Sequence, residues 1–223
     1  MGKISMPGIV PKLVAPVAEV PLGSIAEGQI VKVNENGGPV EFYVAKHNYE
    51  PTLNGNGRTL LVRKECYDER QWHTSNRNAY ASSSIDTWLD SYYITLFAPA
   101  IQDVIGTTKI YYTVSGGHHE ASILARSIFL VSATELGFSG GSVNKEGDVL
   151  PIAPRLKIAT LNGSPVLQMT RTPHADRTGS VYFAMSNGSL VWGNCTDAGG
   201  NRPSFTLPST ALFDDNMNFM GVS

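Results

Sequence analysis

Residues 60–97 join an apolar run, a polar stretch and an amphipathic segment, the most informative order of hydrophobic and polar positions in the chain. Leu60, Leu61 and Val62 form a continuous apolar run of strand length, and the polar stretch through Asn78 has the composition of a loop. Ser83 stands three residues before Asp86, so the serine hydroxyl can accept an orphan amide while the carboxylate reaches back, with Asp in place of the preferred Glu. A helix is predicted from there. Ile85, Trp88, Leu89, Tyr92 and Leu96 fall at helical spacing and give it one wide apolar face for packing on a sheet.

Elsewhere the period is two. Ile30, Val31 and Val33, then Val40, Phe42 and Val44, flank Asn36-Gly37-Gly38-Pro39 and predict a hairpin with a short glycine-rich turn. Val181, Phe183 and Met185 precede Asn187-Gly188, with Leu190 and Trp192 beyond, and predict a second. Ala98-Pro99 opens a shorter helix through Ile101, Val104 and Ile105, ended at Gly106, so a two-helix layer is expected. Strands are expected over 109–114 and 127–131 around the polar loop 115–120. A loop without periodicity follows over 137–154, then a long polar loop over 193–201 and a closing strand over 204–207.

The first 21 residues are a different polymer. Pro7, Pro11, Pro16 and Pro21 interrupt Ile9, Val10, Leu13, Val14, Val17 and Val20, which bars a helix. An apolar, weakly charged segment is also poorly suited to a solvated tail. It is expected to dock, either as an anchoring arm on a neighbouring subunit or as an edge strand of its own domain. The organisation read from the chain is therefore an arm over 1–21, a domain over 22–213 and a tail over 214–223.

At 223 residues the chain can bury a real core. The near balance of 17 basic and 19 acidic side chains leaves no electrostatic footprint for nucleic acid or an anionic membrane. No apolar run reaches bilayer-spanning length, no secretory signal opens the chain, and Met6 occupies the position where an acylation signal needs Ser or Thr. Cys66 and Cys195 suit neither a metal knuckle nor a disulfide scaffold, and separate thiols are expected, with a Cys66 to Cys195 bridge left open.

A run of short motifs then occurs in order: Leu22-Gly23-Ser24, Val31-Lys32-Val33-Asn34, Glu41-Phe42-Tyr43-Val44, Arg70-Gln71-Trp72-His73, Ser84-Ile85 with Trp88-Leu89, Phe129-Leu130-Val131-Ser132 with Glu135-Leu136-Gly137, Ala159-Thr160-Leu161-Asn162-Gly163, Arg171-Thr172-Pro173, and Arg202-Pro203 with Phe205 and Leu207. The run resembles a domain of uncharacterised function found in phage virion proteins and some Gram-positive surface proteins. The resemblance implies an α+β, C-type-lectin-like fold, with two helices packed on twisted antiparallel sheets and long loops. It also implies a phage context: a virion protein assembled in the bacterial host, joined to other virion proteins through the arm, and oligomeric.

Candidate chemistry is sparse. His118, His119 and Glu120 are adjacent, and neighbouring residues diverge on a strand or a helix, so they do not share one ion and a solvated loop is expected. Formylglycine-generating enzymes, which the resemblance also brings in, rely on two reactive cysteines close together near the C-terminal end, whereas here only Cys195 lies there. Calcium lectins of the implied fold carry Glu-Pro-Asn and Trp-Asn-Asp triplets. Trp192-Gly193-Asn194-Cys195-Thr196-Asp197 is only an echo of the second. Arg171 and Arg202 are expected to lock loops to backbone carbonyls. The expectation is a protein without catalysis, metal or cofactor.

The ligand face of the implied fold is built from late loops and strands. Here these present His174, Asp176, Arg177, Tyr182, Trp192, Asn194 and Asp197, polar groups beside aromatic anchors that suit a host-surface protein or glycan. The rival is a purely structural decoration protein.

Overall fold

A computed structural model describes residues 18–222. Strand outweighs helix, 40% to 16%, and the strands fall into several small sheets. The α+β, C-type-lectin-like arrangement with two helices packed on the sheets is therefore corrected to a mostly β architecture with short helical connections.

The first five-stranded sheet begins with the expected hairpin, Ile30–Glu35 paired with Gly38–Lys46, whose turn places Asn36 and Gly37 at φ of 52° and 77°. Two positive φ angles are what a two-residue hairpin turn of matching twist requires. Arg58–Arg63 and Pro203–Pro208 complete its centre, with Phe129–Leu130 at the edge. The second sheet runs from Leu190–Asn194 through Ser180–Ala184, Gln168–Pro173 and Ala198–Asn201 to Asp68–Gln71, with one parallel pair between Gln168 and Gly200. Phe42, Phe97 and Phe205 meet edge-on or tilted in the core, with Phe205 5.1 Å from Phe42 and 5.3 Å from Phe97.

The helical layer shrinks for a local reason. Ser83 caps the helix as expected, its hydroxyl accepting from the Asp86 amide at 3.2 Å. The Asp86 carboxylate does not reach back, however, because it is buried against the fork of Arg126, 2.8 Å away. The helix spans only Ser84–Ser91 and then tightens into a 3-10 turn, Tyr93–Leu96. That change of pitch turns Tyr93 into the core and leaves Tyr92 52% exposed. Trp88 is half-buried beneath the Arg70 guanidinium, 3.3 Å from its ring centroid. The second helix, Pro99–Ile105, is seven residues long.

The stretch 121–126 was not anticipated as a strand. Ala121–Arg126 pairs with Thr108–Thr113, and only Phe129–Leu130 of the region 127–131 is strand. Segments on both sides of the expected 22–213 domain are tied to it: Val20–Pro21, from the expected arm, pairs with Phe213 and Leu212, and Phe219–Val222, from the expected tail, adds a third strand there. The rest of the arm, residues 1–17, lies outside the described residues.

Arg171 and Arg202 are fully buried braces. Arg171 forks onto Glu135, both 0% exposed, and also donates to the carbonyls of Tyr111 and Leu130, while the Tyr49 hydroxyl donates to the same carboxylate. Arg202 donates to the carbonyls of Arg63, Lys64 and Leu156. Trp72 plugs the core with its indole N–H on the Thr170 carbonyl at 2.9 Å. Both cysteines are buried and free. Among the described residues no helix is long and apolar enough to cross a membrane.

Candidate functional site

The second hairpin turns at Asn187-Gly188, and its register sets Tyr182 opposite Trp192 and Ser180 opposite Asn194. Residues two apart on a strand share a face, so these four lie together while Val181 and Phe183 point into the core. His174 arrives from the loop after Gln168–Pro173. Its ring lies on that of Tyr182, 5.3 Å away and 9° from parallel, and meets Trp192 at 5.8 Å and 89°. Arg177 closes the cluster, its guanidinium carbon 4.2 Å from the Trp192 ring centroid. His174 and Tyr182 are buried and form a floor, whereas Trp192, 46% exposed, and Arg177 form the surface.

A hydrogen bond sets the state of His174 in this floor. The Asp176 amide donates to His174 Nδ1 at 3.2 Å, which requires a lone pair on that nitrogen. Burial pushes the His174 pKa below its ordinary value, and the nearby charge of Arg177 adds to this. The Asp176 carboxylate takes the Ser142 hydroxyl and faces His119 Nδ1 at 3.7 Å.

Asn78 fixes the loops beneath. Its side-chain oxygen accepts from the Gly116 amide at 2.8 Å, and its nitrogen reaches the carbonyls of His174, Arg177 and Ser180 at 3.2, 2.6 and 2.8 Å. Three segments converge so closely here that glycine is required by space at 116, where a Cβ would stand 2.6 Å from the Arg177 backbone. Beside this junction opens a cleft of about 390 Å³, lined by Asn76, Arg77, Asn78, Ala79, Ser115 and Thr178.

Of the seven residues expected at a ligand face, the fold thus brings His174, Asp176, Arg177, Tyr182 and Trp192 into one cluster, with Asn194 beside them. Asp197 is spent locally: its carboxylate accepts the Asn194 amide at 2.7 Å and shapes that turn. Asn78, Arg77, Ser142 and His119 were not anticipated at this face. A Gly-Gly pair in the loop 115–120 was the one local hint that something packs closely there.

Residues 56–209 match a family described as a domain of unknown function (DUF6273). The chain belongs to this family. No curated protein and no solved structure matches it. The matched part of the DUF6273 domain contains the whole cluster, the Asn78 junction and the cleft. Among its described residues no three His, Cys, Asp or Glu side chains are grouped to hold a metal ion. Burial pushes the thiols of Cys66 and Cys195 up to about 11 and about 12. Both are therefore held as thiols at neutral pH, the form that is a poor nucleophile and metal ligand.

Proposed function

We propose that this protein is a non-enzymatic recognition component of a phage virion, and that the face around Trp192 and Arg177 contacts a molecule on the host surface, a protein or a glycan. The observation that carries the reading is the exposed Trp192 and Arg177 pair on a buried His174 and Tyr182 floor. Trp, Tyr and Arg dominate binding hot spots, and a rigid support lowers the entropy lost on binding. Both cysteines are buried and free, the setting of inert structural thiols, which argues against cysteine chemistry of the formylglycine-generating kind.

The virion setting rests on the ordered motif run between Leu22 and Leu207 and on the proline-punctuated arm, which would join other virion proteins. One observation favours the decoration reading beside it. Ala121–Arg126 pairs on one side only among the described residues and leaves Ile123 52% exposed, an edge that suits a second copy in an oligomer. Purified protein should compete with particles for adsorption to host cells, and Trp192→Ala protein should not. Parent protein that binds no cells, yet covers particles in a regular lattice, would replace recognition by decoration.

A further inference from the structure

The chain has nine arginines, and seven of them donate side-chain hydrogen bonds to a carboxylate or a carbonyl: Arg58, Arg63, Arg70, Arg126, Arg155, Arg171 and Arg202. The two others, Arg77 and Arg177, have no hydrogen-bond or ion-pair partner for their guanidinium groups among the described residues. They spring from adjoining segments, since the Asn78 amide donates to the Thr178 carbonyl at 2.9 Å. Arg77 lines the 390 Å³ cleft, and Arg177 sits one residue from Thr178, which lines it too. The remaining lining is Asn76, Asn78, Ala79 and Ser115, with no acidic side chain among them.

A guanidinium stacked on an aromatic ring keeps its in-plane donors free, and that fork matches the oxygens of a carboxylate or phosphate. Arg177 lies over Trp192, its guanidinium carbon 4.2 Å from the ring centroid, and none of its donors is taken by another group among the described residues. The cleft walls are fixed by the Asn78 bonds and by the close backbone approach at Gly116, so little ordering remains to be lost on binding. We infer that this cleft is an anion subsite, and that the surface ligand is a glycan bearing phosphodiester or carboxylate groups, whose anion takes the Arg77 and Arg177 donors while a sugar ring lies against Trp192. The inference rests on the recognition reading above for its glycan, and on the cleft alone for its anion.

The test titrates the full chain with glycerol phosphate, glucuronate and uncharged glucose, reading Trp fluorescence and calorimetric heat. Either anion should bind, glucose should bind far more weakly, and Arg77→Gln and Arg177→Gln should each weaken anion binding about tenfold or more, the loss of a charge-assisted hydrogen bond. Preference for one anion identifies the phosphodiester or the uronic-acid polymer as the source. Equal binding of glucose and the anions, or anion binding unchanged in both variants with parental circular dichroism, overturns the subsite. Host-cell adsorption is measured in parallel: parent protein that adsorbs to cells with R77Q and R177Q unaffected keeps the recognition reading and removes the subsite. Anion binding lost in both variants, from a parent that adsorbs to no cells, keeps the subsite and removes the host-recognition reading.

Discussion

The guanidinium of Arg177 lies over the indole of Trp192, its central carbon 4.2 Å from the ring centroid, and nothing else in the described chain claims its donors. Half of the indole stays open to solvent. Trp192→Ala should therefore abolish adsorption to host cells while leaving the unfolding midpoint close to that of the parent, since an exposed side chain contributes little to stability. Cell-binding measurements beside thermal melts check this, and parental adsorption by the variant would remove Trp192 from the contact surface.

Asn78→Ala should behave in the opposite way. The side-chain amide satisfies one N–H and three carbonyl groups from two other loops, and each buried polar group left without a partner costs about 1–3 kcal/mol. A loss on the order of 3 kcal/mol is expected from urea unfolding, together with weaker ligand binding because His174 and Arg177 are no longer fixed. A variant as stable as the parent would mean that other bonds hold these loops.

His174 makes the site sensitive to acid. Its folded pKa lies below the ordinary value of 6.5, so its contribution to stability is fully present above that pH and is lost as pH falls through the folded value. Protonation would also break the bond from the Asp176 amide and place a second positive charge beside Arg177. Melting temperature should fall, as pH drops below 6.5, more steeply in the parent than in His174→Phe. Identical slopes would show that other groups govern the acid limb.

Breaking the Arg171 and Glu135 pair should be the costliest single change. Neither is exposed to solvent, and removing one partner from a buried pair costs about 3–5 kcal/mol because the other charge is left uncompensated. Arg171→Met should unfold the domain or lower its urea midpoint sharply, whereas Arg171→Met with Glu135→Leu should recover part of the loss. A double variant worse than the single one would show that the carbonyl bonds of Arg171 matter more than its charge.

What could be read from the sequence was local. The Ser83 cap and the turns at Asn36-Gly37 and Asn187-Gly188 depend on residues within a few positions of one another, and they are where the chemistry of those residues puts them. The strand Gln168–Pro173 was illegible because both of its faces are buried, so its polar Thr170, Arg171 and Thr172 break no alternation and find partners far along the chain. The helical period through Leu96 misled because α-helix gives way to a 3-10 turn after Ser91. At the site, the aromatic and charged candidates between His174 and Trp192 lay close in sequence. Asn78 acts across about a hundred residues, a relationship that no spacing rule contains.

The arm gives the plainest separation of roles, provided the cut respects the strand at its end. Val20 and Pro21 pair with Phe213 and Leu212, so they belong to the small sheet that also holds Phe219–Val222. Removing residues 1–21 would uncover that edge and should lower the melting temperature or provoke aggregation, because an unpaired edge beside apolar side chains is a template for pairing with other chains. Removing only residues 1–17 leaves the strand in place. If the apolar, proline-interrupted segment serves neighbours rather than its own domain, the shorter deletion should melt like the parent and fail to incorporate into particles. A shorter deletion that is itself destabilised would assign those residues to their own domain and leave the anchoring role without support.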